Sequence, residues 1–80
     1  MDDRDIVERI SGLVAEEHRL QNGHVGNGLS EAEHAKLHEV EVQLDQCWDL
    51  LAQRRARRSA GLDPDGASMR GEDVVERFEQ

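Results

Sequence analysis

Apolar side chains recur along residues 3–21 with alternating steps of four and three positions. The stripe consists of Ile6, Ile10, Leu13, Glu17 and Leu20, with Val7 and Val14 beside it. Such steps keep side chains on one face of an α-helix and are typical of a coiled-coil seam. Aspartates at positions 2, 3 and 5 stand where a helix N-terminus favours negative charge. The pattern therefore predicts a helix over about residues 3–21.

A second helix is predicted after a connection rich in glycine and asparagine at 22–29. Ser30 and Glu33 have the spacing of a capping box, in which each side chain hydrogen-bonds to the backbone amide of the other residue. A second stripe with steps of three and four follows, made of Leu37, Val40, Leu44, Cys47 and Leu51. It predicts a helix over about residues 31–59, which ends in four arginines before Gly61.

The remaining residues, 62–80, are predicted to form a turn and a C-terminal tail. The segment DPDG at 63–66 is typical of a turn. Val74, Val75 and Phe78 fit one face of a short helix, but so short a segment leaves an extended tail equally open. We therefore divide the chain into a helical hairpin at 1–61 and a tail at 62–80.

The short connection between the two amphipathic helices predicts an antiparallel hairpin. The fold class is accordingly all-α: a coiled-coil-like two-helix hairpin with a C-terminal tail, assembled as a dimer or a higher helical bundle. Aligning the stripes about the turn predicts these pairs: Leu13 with Leu37, Ile10 with Val40, and Ile6 with Leu44. In this register the second helix extends some three turns beyond the first.

The predicted extension carries Trp48 and Leu51, whose burial is worth about 1.5–3 kcal/mol each. Either the tail folds back over them or a second chain covers them, and the two arrangements are not exclusive. Self-association, with a homodimer favoured, is the main expectation, and a different protein partner is the other. The predicted interface residues are Cys47, Trp48, Leu51, Arg54, Arg55, Arg58, Val74 and Phe78.

The composition also supports the expectation that a partner covers part of the apolar surface. The chain has 80 residues, of which 2% are aromatic, so few large side chains are available to fill a core. The single cysteine excludes an internal disulfide, which fits a reducing cytosol. No basic-then-apolar leader opens the sequence and no apolar run approaches about 18 residues. We therefore expect a cytoplasmic protein without a membrane partner.

Charge is distributed unevenly along the chain. The formal net charge is −8, which argues against nucleic-acid binding over the whole surface. Arg54, Arg55, Arg57 and Arg58 nevertheless form one local basic cluster. Cations at this place complement the negative end of a helix dipole, and they can pair with the acidic helix of another chain or, within this chain, with Asp49, Asp63 or Asp65. Nucleic-acid contact through 54–58 remains a weaker alternative, because no aromatic side chain stands among the arginines to stack on bases.

A metal-binding bundle is the principal alternative to an interaction module. Glu31 and His34 have the Glu-x-x-His spacing of di-iron helical bundles, and His38 lies one turn further along. In the predicted register Glu17 falls opposite Glu33 or His34. The candidate ligands are therefore Glu17, Glu31, His34 and His38. The capping box and the proximity of solvent at a helix start account for the same residues without a metal, and no resident cofactor is expected.

The segments EVQLDQCWDLLAQRRARR, DIVERISGLVAEEHRL and GLDPD together resemble a family of short actinobacterial proteins that is classed as a domain of unknown function. The stretch Gln46–Leu51 is the most specific part of the resemblance. The family implies a small, all-helical cytosolic protein and brings no catalytic residue to this chain. The residues themselves agree, because no serine has a base at a recognisable spacing and Cys47 lies on an apolar seam. We expect no enzymatic activity.

Overall fold

The computed structural model describes residues 2–22 and 28–77. Helix α1 spans Asp3–Asn22, α2 spans Glu31–Ser59, a 3-10 turn spans Pro64–Gly66, and α3 spans Glu72–Arg77. The described residues contain no strand, so the prediction of an all-α fold built on a helical hairpin is confirmed. No helix in this part of the chain is long and apolar enough to cross a membrane.

Local hydrogen bonds define where both long helices begin. At α1 the amide of Asp5 donates to Asp2 Oδ1 at 2.9 Å, and the amide of Asp2 donates to Asp5 Oδ2 at 3.3 Å. At α2 the predicted capping box is confirmed. The amide of Glu33 donates to Ser30 Oγ at 3.2 Å, and the amide of Ser30 donates to Glu33 Oε1 at 3.0 Å. These bonds satisfy amides that the first turn of a helix leaves without a partner.

The end of α2 is equally well defined. Gly61 adopts a left-handed backbone with φ of 77°, which costs a glycine little because it has no side chain to clash. This geometry lets the amides of Gly61 and Leu62 donate to the carbonyls of Arg58 and Arg57, at 3.1 and 2.8 Å. The pattern is a Schellman motif, which turns the chain away from the helix axis. Helix α2 therefore ends at Ser59, and the chain turns into the tail after Gly61.

The core lies between α1 and α2. Its buried residues are Ile6, Ile10, Leu20, Val40, Leu44, Cys47, Leu50 and Leu51, with Leu13 and Leu37 partly buried beside them. The two stripes therefore face each other along the hairpin.

The register of the hairpin differs from the predicted one. Arg54 Nε lies 2.6 Å from Asp3 Oδ1, whereas the predicted alignment places Asp3 near residue 47. Further along, Val14 shares a groove with Leu44 and Trp48. The shift is about seven residues, or two turns of α2. The prediction of a three-turn extension beyond α1 is therefore wrong, and α1 runs beside α2 as far as Arg54.

The tail folds back along α2. Gln53 Nε2 donates to the carbonyl of Ser68 at 2.8 Å, and Gln46 Nε2 donates to the carbonyl of Arg70 at 3.3 Å. Val75 of α3 is buried. The principal extents are 51 × 25 × 15 Å, so α1, α2 and the tail form a flat molecule with two broad faces.

Candidate functional site: an open apolar face and an arginine clasp

Trp48 is half exposed on one broad face of the hairpin. Its exposed fraction is 53%. It lines a shallow groove of about 340 Å³ between α1 and α2 together with Val14, Glu17, Glu41, Leu44 and Asp45. A tryptophan in this position presents a large apolar ring to solvent, which is the kind of side chain that dominates protein interfaces.

Val7 extends the apolar surface along α1. It is 48% exposed and lies seven residues, or two turns, before Val14 on the same side of the helix. Val7, Val14 and Trp48 are called the open face below. The α2 residues that hold the tail, Gln46 and Gln53, lie about 140–160° around the helix from Trp48. The described part of the tail therefore covers a different side of α2 and leaves the open face exposed.

The structure buries some of the residues predicted to form an interface and leaves others exposed. Cys47 and Leu51 are 1% and 2% exposed because they pack inside the hairpin, and Arg54 is also buried. These three residues are held within the chain and present almost no surface to a partner. Val74 is half-buried in α3, and Phe78 lies outside the described residues. Trp48 and Arg55 remain as exposed members of the predicted set, together with the half-exposed Arg58.

Arg54 ties three parts of the fold together. Besides Asp3 at the start of α1, its guanidinium contacts Asp65 of the 3-10 turn, with Nη1 2.9 Å from Oδ1. Arg58 adds a second contact to Asp3, with 2.8 Å between Nη2 and Oδ2. We call Arg54, Arg58, Asp3 and Asp65 the arginine clasp. A buried guanidinium is favourable only when acceptors surround it, and the two aspartates provide them.

The clasp shifts the ionisation of its members. Hydrogen bonds from Arg54 and then Arg58 lower the pKa of Asp3 below its ordinary value of 3.8. Hydrogen bonds from Asp3 and Asp65 raise the pKa of Arg54 in turn. Both shifts favour the charged pair in the folded protein.

A second ion pair fastens the tail. Arg70 contacts both carboxylate oxygens of Asp49, with Nε 2.8 Å from Oδ2. Gln53 Nε2 also donates to Oδ2 at 2.9 Å. The hydrogen bonds from Arg70 are the main reason that the pKa of Asp49 lies below its ordinary value. Asp49 therefore links the middle of α2 to the segment before α3.

The arginine cluster is mostly engaged inside the molecule. Arg54 and Arg58 belong to the clasp, and Arg57 Nε donates to the carbonyl of Asp63 at 2.6 Å. Arg55 is exposed on α2. Phosphate recognition needs several free cations on one surface, and this arrangement does not assemble them. The alternative of nucleic-acid contact through 54–58 thus gains no support.

The predicted metal ligands do not converge. Glu17 faces the Glu41 end of the groove instead of His34, because of the two-turn shift in register. Glu31 and His34 are exposed, and His38 Nε2 lies 3.7 Å from Glu72 Oε1 of α3. Among residues 2–22 and 28–77, no group of three histidine, cysteine, aspartate or glutamate side chains is placed to hold a metal ion. The predicted carboxylate–histidine site is therefore not formed by the described residues.

Cys47 behaves as a core residue. Burial raises the pKa of its thiol above the ordinary value of 9.0, and the nearby guanidinium of Arg9 offsets this only in part. The nucleophilic thiolate is therefore disfavoured, which argues against a redox or catalytic role.

The opposite broad face contains a wider groove of about 630 Å³ between α1, α2 and the tail. Its lining residues are Asp2, Asp5, Arg9, Leu50, Arg54, Asp65, Ala67, Ser68 and Met69. Five of these nine residues are charged, and both signs are present. Sequence reasoning missed the roles of Asp3 and Arg70, whereas Asp65 is among the partners that the sequence offered for the arginines. The acidic start of α1 was the one available signal, and it was explained by the helix dipole alone.

Comparison with known proteins agrees with the resemblance noted from the sequence. The model of the family described as "Protein of unknown function (DUF2630)" matches residues 2–80. Uncharacterized proteins of Mycobacterium bovis and of two Mycobacterium tuberculosis strains are 46% identical over 77 residues, covering 95% of this chain and 88% of theirs. No solved structure matches the chain. The chain therefore belongs to the DUF2630 family, whose function is unknown.

Proposed function

We propose that the protein is a small non-enzymatic interaction module that associates with itself through the open face. The observation that carries this proposal is Trp48, which is half exposed like Val7 and lines a groove with the partly buried Val14. Phe78 is the only other aromatic residue of the sequence. Isolated apolar residues on a surface are ordinary, but a tryptophan grouped with two valines on one face is typical of an interface.

The energetic gain from covering the open face is substantial for a chain of this size. A tryptophan buries about 150–250 Å² when fully covered, so covering the exposed half of Trp48 is worth roughly 2–3 kcal/mol. In a symmetric dimer the gain occurs twice, once in each copy. Domains of this size have small cores and correspondingly small stabilities, so an added interface of this kind is a large contribution.

The hairpin at 1–61 and the tail at 62–80 are proposed to act as one unit. The arginine clasp joins Asp3 to Asp65, and the pair of Asp49 with Arg70 holds the segment before α3. A buried cysteine with a raised pKa fits a reducing cytoplasm, which is the proposed location. The unit offers its open face to a partner while the tail keeps its place on α2.

Light scattering across micromolar concentrations tests self-association. We expect a mass of twice 9.0 kDa or more for the unmodified protein, decreasing towards 9.0 kDa on dilution. Trp48→Gln is expected to weaken association at least about thirtyfold, as for an interface hot spot. Leu62→Gln is the matched control, because Leu62 is also 53% exposed but lies after α2. A protein that stays at 9.0 kDa throughout, or a control as damaging as Trp48→Gln, contradicts the proposal.

A further inference from the structure

The open face has charges of opposite sign at its two ends. Arg4 lies in the first turn of α1, with an exposed side chain whose Nε is 3.5 Å from Glu8 Oε1 of the same helix. On α2 the exposed Arg55 lies seven residues, or two turns, after Trp48. Both arginines lie at the end of the hairpin that the contact of Asp3 with Arg54 defines.

The other end of the open face is acidic. Glu17 of α1 and Glu41 of α2 line the same groove as Val14 and Trp48. Glu41 is exposed and Glu17 is partly exposed. On α2 the ring of Trp48 therefore has a glutamate two turns to one side and an arginine two turns to the other.

These positions are symmetric about one point. Trp48 lies midway between Glu41 and Arg55, about 10.5 Å from each along α2. On α1 the midpoint of Val7 and Val14 falls between residues 10 and 11. That midpoint lies beside Trp48 in the observed register, because Asp3 faces Arg54 and Val14 lines the same groove as Leu44. The charges of α2 and the apolar side chains of both helices thus share one centre of symmetry.

We propose that the occupant of the open face is a second copy of this chain, packed antiparallel about a two-fold axis that passes beside Trp48. This arrangement rests on the proposed self-association and specifies its geometry. The axis lies in the contact plane, perpendicular to the helices, so that α1 crosses over α1 and α2 over α2 of the second copy. The contacts are then Arg55 with Glu41 and Val7 with Val14, each made twice, with the two Trp48 rings at the centre.

Charge selects this orientation over the other symmetric one. A two-fold axis parallel to the helices would place the arginine ends of both copies together and the glutamate ends together, so both ends would repel. The antiparallel orientation instead places Arg55 of each copy against Glu41 of the other. The product is a four-helix layer in which the tails lie outside the contact.

Charge reversal tests the orientation separately from association itself. Arg55→Glu places glutamate against Glu41 at both symmetric contacts, and Glu41→Arg places arginine against Arg55. Each variant alone is expected to raise the dimer dissociation constant about tenfold or more. Mixing the two variants restores opposite charges at both contacts, so we expect a heterodimer near wild-type affinity. Residues 41 and 55 are about 21 Å apart on one helix, so the rescue has to occur between chains.

Arg19→Glu is the matched control for charge reversal. Arg19 has a 70% exposed side chain and lies about 140° around α1 from Val14, so this variant should associate like the unmodified protein. Native mass spectrometry of the mixture, with circular dichroism of each variant, gives the readout. A dimer that is unaffected by both reversals, or that mixing does not restore, overturns the antiparallel arrangement and leaves self-association standing. A monomeric unmodified protein overturns both.

Discussion

Arg54 Nε donates to Asp3 Oδ1 across 2.6 Å, although 51 positions separate the two residues in the chain. The bond joins the start of α1 to the last turns of α2 and thereby sets how far the helices overlap. Arg54 also holds Asp65, so the same side chain fixes where the tail begins to fold back. One guanidinium therefore specifies both the hairpin register and the position of the tail.

Replacing Arg54 tests this specification. Arg54→Met retains much of the apolar stem but leaves Asp3 and Asp65 without their shared partner, so we expect a clear loss of stability in urea denaturation. Arg55→Met removes an exposed arginine at the next position, and its effect should remain within about 0.5 kcal/mol. A double-mutant cycle of Arg54→Met with Asp3→Asn should show coupling. Equal effects of the two arginine variants, or additive effects in the cycle, would contradict the role of the clasp.

Acid should weaken the fold through Asp3 and Asp49. Neighbouring arginines lower the pKa of both carboxyl groups in the folded protein below their ordinary value of 3.8. The unfolded chain therefore takes up protons first as the pH falls through 3.8, and it binds more protons than the folded chain. The stability contributed by these groups is complete above that pH and is lost as the pH falls towards their folded-state pKa values.

Urea midpoints measured between pH 7 and pH 2.5 check the acid prediction. We expect the free energy of unfolding to decline below about pH 4. The variant carrying both Asp3→Asn and Asp49→Asn should be less stable at pH 7 and should show a shallower decline. If this variant retains the full acid dependence of the unmodified protein, the arginine contacts of Asp3 and Asp49 are not its cause.

Gly12 is a site where substitution should stabilise the protein. It lies in the interior of α1, and an added Cβ would meet no heavy atom within 4 Å. Gly12→Ala should therefore raise the free energy of unfolding by about 0.5–1 kcal/mol. Gly28→Ala is the contrasting variant, because Gly28 has a φ of 65° that alanine rarely adopts, and it should destabilise. Thermal denaturation of both distinguishes helix propensity from a packing role for Gly12, which would make Gly12→Ala unfavourable.

The sequence was informative where local chemistry decides the structure. Ser30 and Glu33 specify the start of α2 because their hydrogen bonds involve neighbouring residues. The register of the hairpin could not be predicted in this way. The stripes repeat about every seven residues, so a shift of seven presents apolar side chains to apolar side chains again. The contact of Asp3 with Arg54 distinguishes the observed register from the predicted one. The sequence contains several arginines that could make this contact.

The candidate site shows the same division between local and long-range information. Trp48 is predicted to be an interface residue because tryptophan is scarce in the chain, and it is 53% exposed. Its predicted companions Cys47 and Leu51 belong to the core because of the register. The attachment of the tail uses the carbonyls of Ser68 and Arg70 as acceptors. Every residue has a carbonyl, so the sequence contains no signal for these bonds.

Trp48 provides an intrinsic probe of the open face, because it is the single tryptophan of the chain. At concentrations where the protein is dissociated, acrylamide should quench its fluorescence readily, since 53% of the residue is exposed. Association covers the indole, so the quenching constant should fall at least about twofold as concentration rises. Val7→Asp leaves the tryptophan in place but puts a charge on the open face, and its quenching should not depend on concentration. A concentration dependence that persists in Val7→Asp would mean that Trp48 is covered by a contact away from Val7, and the open face would lose its role.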